Sequence, residues 1–317
     1  MPRRAIVLMN LGGPDSAAGV RPFLFNLFSD PAIIGLPKLL RLPLAWAAAR
    51  RRAKVAAEIY RQLGGGSPLL ANTEAQAQAL EAALADGSRC FIAMRYWRPT
   101  SDEAVRAVKA WAPDAIVLLP LYPQFSTTTT GSSLTAWREA AAQGGLARPT
   151  RAIESYPTAD GLIAAIAGAV RAELDPGSAG TGEFRVLFSA HGLPLKIVRN
   201  GDPYPRQVEA TAAAVADRLG LSDGQWRLCY QSRVGPLAWL GPSVDQELQT
   251  AGRDRVPVVV APISFVSEHS ETLVELDRDY RRLAEKSGVP QYRRAMTVGI
   301  DPRFIAALAA LVNGAAP

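Results

Sequence analysis

The chain has 317 residues, 48% hydrophobic and 20% charged, a balance that excludes a disordered protein and supplies enough apolar material for two medium-sized cores. Lys and Arg number 35 against 29 Asp and Glu, a net charge of +6, and much of the excess sits at Arg50, Arg51, Arg52 and Lys54. With neither a basic tail nor an interleaved aromatic stripe, nucleic acid is not expected as a partner; a solvated helix face is the ordinary reading of the cluster, an acidic ligand or membrane surface the alternative.

In chain order, residues 5–11 read as a continuously apolar strand that runs into Asn10-Leu11-Gly12-Gly13-Pro14. Residues 23–28 and 33–44 are too apolar and too proline-broken for a regular amphipathic surface helix. They read as core, as a lip over a large flat apolar ligand, or as a membrane-facing patch. Gly64-Gly65-Gly66-Ser67-Pro68 permits close backbone approach but, like Gly12-Gly13, lacks the P-loop lysine and the dinucleotide spacing. A helix over 73–85 leads to a strand over 90–95 with Arg95-Tyr96 at its end, then a helix over 101–111. The strand over 115–121 passes into Tyr122-Pro123-Gln124-Phe125-Ser126. The hydroxyl-rich run Thr127-Thr128-Thr129-Thr130-Gly131-Ser132-Ser133 offers donors to an anion, or simply caps the helix over 133–142. After a helix over 162–174, residues 175–182 form the best linker. Strands over 185–190, 226–231 and 256–263 then alternate with helices over 205–219, 243–250, 271–286 and 302–312.

Continuously apolar strands, each followed by a helix, indicate parallel sheets covered on both faces. The expected fold is α/β, doubly wound, with one domain over 1–175 and a second over 176–317 whose last helix is free to pack back on the first. Ligands of such sheets bind beyond the carboxyl ends of the strands. Leu11, Arg95, Tyr122, His191 and the Ser267 to Glu271 segment all fall there, and one cleft is expected to gather them.

The only histidines are His191, in Phe188-Ser189-Ala190-His191-Gly192-Leu193-Pro194, and His269, in Phe265-Val266-Ser267-Glu268-His269-Ser270-Glu271-Thr272. Imidazole titrates nearest neutrality, so proton transfer or nitrogen ligation has two candidates. A strand-end histidine is often structural; the turn after His191 and the second histidine favour function. From Glu271 the acids recur at Glu275 and Asp279. Like charges at that spacing weaken an exposed helix, so the series suggests a ladder that moves protons or cations, against a plain acidic face neutralised by Arg278 and Arg282. A π-type widening aligns a four-residue repeat and is expected here.

Cys90 and Cys229 lie far apart in apolar runs and read as buried free thiols of a reducing compartment; no paired-cysteine metal motif is present. Neither a signal peptide nor a spanning apolar stretch is evident, so a cytoplasmic protein is expected, with peripheral membrane contact left open.

Together the motifs resemble the ferrochelatase family, enzymes that insert ferrous iron into a porphyrin. The resemblance runs nearly end to end, through Leu8-Met9-Asn10-Leu11-Gly12-Gly13-Pro14, Tyr60-Arg61-Gln62-Leu63-Gly64-Gly65-Gly66-Ser67-Pro68, Met94-Arg95-Tyr96, Leu121-Tyr122-Pro123-Gln124, Ser189-Ala190-His191-Gly192-Leu193-Pro194, Gly201-Asp202-Pro203-Tyr204-Pro205, Tyr230-Gln231-Ser232-Arg233-Val234-Gly235-Pro236, Trp239-Leu240-Gly241-Pro242 and Phe265-Val266-Ser267-Glu268-His269-Ser270-Glu271-Thr272-Leu273. It implies two Rossmann-like domains of the chelatase fold with a porphyrin cleft between them. It also implies that His191 accepts a pyrrole proton or meets the metal and that Glu271 is its partner carboxylate. Glu275, Asp279 and His269 then extend or support a relay. Leu11, Arg95, Tyr96, Tyr122 and Ser126 match positions beside the macrocycle, with Trp239 as a packing wall and Arg51 and Arg52 at the propionates.

Some relatives hold an iron–sulfur cluster through a cysteine near the Tyr-Pro-Gln motif and a C-terminal cysteine cluster. Here Thr127 stands at the first position and no cysteine follows Cys229, so no cluster and no other resident cofactor is expected. Tyr156-Pro157 replaces a Trp-Pro pair and Leu11 a methionine of some relatives. The apolar lip favours protoporphyrin over coproporphyrin. A chelatase for another tetrapyrrole or metal, and a non-catalytic haem carrier, are the alternatives; a carrier has no need of a base and an acidic relay. The oligomeric state is open.

Overall fold

The structure, a computed structural model, describes residues 3–174, 184–233, 235 and 237–315. Its contacts divide the chain into two compact units, Met1–Ser155 with Leu308–Pro317, and Tyr156–Ala307.

The first unit runs β1 (Arg4–Asn10), α1 (Val20–Phe28), α2 (Lys38–Arg61), α3 (Leu69–Leu84), β2 (Arg89–Met94), α4 (Ser101–Trp111), β3 (Ala115–Pro120), α5 (Ser132–Gln143) and β4 (Thr150–Ala152). The strands pair in parallel in the order β2-β1-β3-β4. Every residue of β1 and β3 is buried, as expected of inner strands covered on both faces, whereas edge strand β2 is buried mainly toward its carboxyl end. Val7, Met9, Ile116 and Leu118 pack against Val105 and Val108 of α4 and Leu134 and Trp137 of α5. Helix α4 begins where Thr100 and Glu103 form a capping box, which is why its limits were readable from sequence.

Residues 23–44 depart from expectation. They contribute to two helices, α1 and a 24-residue α2 that carries Pro43 in its interior. Proline there removes one helical hydrogen bond; burial between the two helices offsets the loss. Val20, Phe23 and Leu24 pack with Ala49 and Tyr60 of α2, and Arg41 donates from Nε to the Ser29 carbonyl at 2.9 Å. In the first half of α2, Ala45 and Ala49 are buried while large apolar side chains face outward. Leu39 is 88% exposed, and Leu40, Leu44 and Trp46 are also exposed.

The second unit runs α6 (Asp160–Glu173), β5 (Arg185–His191), α7 (Leu195–Arg199), α8 (Tyr204–Leu219), β6 (Trp226–Gln231), α9 (Val244–Asp254), β7 (Val258–Pro262), a π-helix over Glu271–Tyr280, α10 (Arg281–Ser287), β8 (Tyr292–Arg294) and α11 (Pro302–Gly314), which passes into the first unit at Leu308. Its sheet is again parallel, in the order β6-β5-β7-β8. Leu187, Val258 and Val260 pack against Leu248 of α9, Leu276 and Tyr280 of the π-helix and Ala284 of α10.

The expected division at 175/176 differs from that of the contacts. The linker expected at 175–182 lies outside the described residues, and α6, placed in the first domain by sequence, belongs to the second unit. Its Leu162, Ile163, Ile166 and Val170 are buried, Arg293 of β8 donates to the Glu173 carbonyl at 2.6 Å, and Thr211 of α8 donates to the Pro157 carbonyl at 2.8 Å.

Candidate functional site

In the second sheet the chain order reverses between β5 and β7, so the carboxyl ends of these two strands form the switch point at which doubly wound sheets bind ligands. His191 is the last residue of β5, and the segment after β7 leads into the π-helix that begins at Glu271. Gly192 lets the β5 and β6 ends approach: a Cβ there would lie 2.8 Å from the Gln231 carbonyl oxygen, which accepts the Gly192 N–H at 2.8 Å.

His191 is oriented on three sides. Its N–H donates to Ser264 Oγ at 3.0 Å and its carbonyl accepts from the Tyr204 hydroxyl at 3.1 Å. Its Nδ1 lies 2.6 Å from the Gly192 carbonyl. A carbonyl only accepts, so Nδ1 carries the hydrogen and the neutral ring presents its lone pair at Nε2. Nε2 lies 3.6 Å from Glu271 Oε2, and the imidazole is 42% exposed.

Glu271 is held by its backbone. His269 Nδ1 accepts the Glu271 N–H at 3.0 Å, and His269 and Thr272 exchange hydrogen bonds, N–H to Oγ1 and Oγ1 to carbonyl, both at 3.0 Å. Desolvation keeps the His269 pKa below the usual range, with Glu271 and Glu268 opposing. One turn on, Glu275 accepts from the Ser232 N–H at 2.8 Å, the Ser232 hydroxyl at 2.6 Å, Gln231 Nε2 at 3.3 Å and the Tyr280 hydroxyl at 3.3 Å. Burial, then the charge of Glu271, raises the Glu275 pKa, against the Ser232 hydrogen bonds. The expected π-widening is present, Glu275 is half-buried and Asp279, the last acid of the series, is exposed; no group of three or more His, Cys, Asp or Glu is placed to hold a metal among the described residues. Arg294 binds Asp277 through Nε and Nη2 at 2.7 and 2.8 Å and Glu268 through Nη1 at 2.9 Å. Trp239 bridges to Pro194 and packs beside Gly192, adjacent to His191; the neighbouring Val234 and Pro236 lie outside the described residues.

The first unit's candidates also gather at strand ends. Leu11 follows β1, and Arg95 and Tyr96 follow β2, their N–H groups donating to the Asn10 and Leu11 carbonyls at 2.8 and 3.0 Å. Arg95 Nη2 meets Asp30 Oδ2 at 2.8 Å, its Nε donates to Ser132 Oγ at 2.6 Å, and its guanidinium lies 4.9 Å from the Tyr96 ring centroid. Tyr96 is only 1% exposed and its hydroxyl donates to Asp30 at 2.7 Å, so it props Arg95 instead of offering a face to a macrocycle. Ser126, likewise buried, is committed to capping: its Oγ accepts the Thr128 N–H at 3.2 Å at the head of a π-turn over Thr127–Gly131. Burial pushes the Tyr122 hydroxyl pKa up, with Ser133 and Arg95 opposing, which keeps the phenol neutral. Arg51 and Arg52 are exposed on α2.

The family model described as Ferrochelatase matches residues 3–316. The chain belongs to the ferrochelatase family. It is 55% identical to a protein named Ferrochelatase from Caulobacter vibrioides (strain NA1000 / CB15N) over 98% of this chain and 89% of that relative, and 48% identical to one of the same name from Wolbachia sp. subsp. Drosophila simulans over 98% of both. Among solved structures, SirB from Bacillus subtilis with Fe3+ is similar at a TM-score of 0.60 and 14% identity, covering 99% of this chain and 96% of that one. CbiX, described as the terminal enzyme for biosynthesis of siroheme in denitrifying bacteria, follows at 0.54 and 16%, covering 99% and 100%. At such identities these two show the chelatase fold alone. Family membership makes this chain a metal chelatase, a lyase of haem biosynthesis whose substrates are a porphyrin and iron.

Within a ferrochelatase frame, sequence reasoning missed Asp30, Ser132, Ser264, Ser232 as a carboxylate partner, and Arg294. Only Ser132 and Ser232 lay in runs that drew attention; Asp30, Ser264 and Arg294 act through partners distant in sequence, which no local pattern announces.

Proposed function

We propose that the chain inserts ferrous iron into protoporphyrin IX, with His191 Nε2 as the acceptor of a pyrrole proton and Glu271 as the carboxylate that steadies the imidazolium and meets the incoming iron. The observation that carries this reading is the His191 geometry: Nδ1–H is spent on the Gly192 carbonyl, leaving the basic nitrogen 3.6 Å from Glu271 Oε2. Insertion exchanges Fe2+ for two pyrrole hydrogens, so two protons must leave, and a positioned base lowers the barrier to their departure. An imidazole nitrogen with one carboxylate oxygen suits ferrous iron in transit, and two protein ligands leave room for the macrocycle's nitrogens.

Arg51 and Arg52, exposed on α2, supply cations for the propionates, and Trp239 an apolar wall beside the base. No iron–sulfur cluster belongs to this reading: Thr127 and its neighbours are occupied in the capped π-turn, and Cys229 is buried within β6. Exposed Leu39, Leu40 and Leu44, interspersed with Lys38 and Arg41, favour peripheral contact with an anionic bilayer at a cytoplasmic surface, although no described helix is long and apolar enough to cross one.

The test is anaerobic incubation of the purified chain with ferrous iron and either protoporphyrin or coproporphyrin, read by the loss of the free-base spectrum. Turnover of protoporphyrin supports the reading; preference for coproporphyrin overturns the substrate assignment, and porphyrin binding without metallation would leave a haem carrier. For the membrane contact, Leu39→Glu should abolish flotation with phosphatidylserine vesicles, and no flotation of the unaltered chain would remove the proposal.

A further inference from the structure

Among the described residues four non-glycine positions have a positive φ. Ala85, Ala112 and Arg255 are the C-terminal caps of α3, α4 and α9, where a left-handed residue ends the helix. Ser232, at φ 61°, is the fourth and caps no helix; it directly follows β6. Where the chain needs a left-handed residue after β1 it uses Gly12, at φ 83°, which adopts that conformation freely. An L side chain held there is strained, and strain is retained where the side chain has a task.

The left-handed turn aims two groups of Ser232 at one place. The N–H donates to Glu275 Oε1 at 2.8 Å and the hydroxyl to Glu275 Oε2 at 2.6 Å, a two-point grip on one carboxylate. The same hydroxyl oxygen lies 3.2 Å from Glu271 Oε2, the oxygen that faces His191 Nε2. Gln231 completes the seat, its Nε2 donating to the Glu271 carbonyl at 3.2 Å and to Glu275 Oε2 at 3.3 Å, while its Oε1 accepts from Ser189 at 2.7 Å. Residues at the end of β6 thus fix both acids of the π-helix from the side. His269 holds the backbone of Glu271, whereas the Ser232 hydroxyl reaches its side chain.

We propose that Ser232 is a positioning residue for iron insertion: its N–H and hydroxyl grip the Glu275 carboxylate, and the same O–H, shared with Glu271 Oε2 at 3.2 Å, ties that oxygen to Glu275 so that it stays opposite the His191 base. The proposal rests on the reading of His191 and Glu271 given above.

The experiment compares Ser232→Gly and Ser232→Ala with the unaltered enzyme, measuring kcat, the porphyrin KM and the melting temperature. Glycine removes the hydroxyl and relieves the backbone; alanine removes the hydroxyl and keeps the strained φ. The expected result is that S232G melts no lower than the unaltered enzyme and keeps its porphyrin KM, while kcat falls about tenfold in both variants, as misplacement of a reacting group does. Unchanged kcat in S232G, or a loss confined to S232A, would overturn the proposal by making Ser232 a turn residue only. His191→Ala in the same assay separates the two claims. An active H191A removes the reading of the base, whereas an inactive H191A beside a fully active S232G removes only the role of Ser232.

Discussion

Glu271 donates its backbone N–H to His269 Nδ1 at 3.0 Å, so one histidine of the chain anchors the residue that faces the other. An accepting Nδ1 puts the His269 hydrogen on Nε2 and the ring in its neutral form. Desolvation lowers the pKa ahead of the opposing effects of Glu271 and Glu268. The sign follows: a depressed folded value means that the stabilisation is complete above about 6.5, the ordinary imidazole value, and is lost as pH falls through the lowered one. Asparagine places an acceptor near the Nδ1 position without titrating. His269→Asn should keep kcat within about twofold and flatten the acid side of the melting curve, whereas His269→Ala should lose about 1 kcal/mol and much of kcat. Melting temperatures from pH 5 to 8, with rates at pH 7.5, check both.

In the first unit one buried carboxylate serves four partners. Asp30 pairs with Arg95 at 2.8 Å, accepts the Tyr96 hydroxyl at 2.7 Å and the Ala32 N–H at 2.8 Å, and is also bonded by Ser132. Asp30→Ala leaves a partly buried guanidinium without its charge partner and should cost about 3 kcal/mol. Tyr96→Phe removes one neutral donor and should cost about 1 kcal/mol. Urea unfolding measures both, and a raised porphyrin KM in the Asp30 variant would place Arg95 at the substrate.

Arg294, 4% exposed, ties Glu268 to Asp277 and so braces the segment before Glu271 against the π-helix that follows it. Burial raises the Glu268 pKa, but Arg294 and the hydrogen bonds from Thr272 and Thr297 together hold it below the usual carboxylate value. Its stabilisation is therefore full above about 4.5 and lost as pH falls through the lowered folded value. Arg294→Met should destabilise by about 3 kcal/mol at pH 7, and the deficit should shrink as pH approaches 4, where the stranded Glu268 carboxylate takes up a proton. Denaturant midpoints at the two pH values test the sign.

What was legible in the sequence follows from where the information lies. Inner strands β1, β3, β5 and β7 are buried on both faces and so write themselves as apolar runs, and α4 announces its start through Thr100 and Glu103. Strands β4 and β8 have three residues each, mostly polar, and owe their existence to pairing with β3 and β7, so no period could reveal them. Helix α2 was hidden because it carries Pro43 and because, over its first half, Ala45 and Ala49 turn inward while Leu39, Leu40 and Leu44 turn outward, against the amphipathic pattern. At the site, His191 and Glu271 stood out by residue type and motif. Asp30 and Arg294 did not, because an isolated charge in a sequence gives no sign that its partner, far along the chain, will bury it. Tyr96 and Ser126 show the opposite error: a motif position is not an exposed position.

The central claim, that His191 Nε2 is the base of iron insertion, is tested most directly by anaerobic single-turnover metallation of bound protoporphyrin by His191→Ala. The account predicts that the variant binds the porphyrin, with a change in its emission, and inserts iron at least about 100-fold more slowly than the unaltered enzyme, the lower end of what a positioned base contributes. Metallation at the unaltered rate, with porphyrin bound, would contradict it.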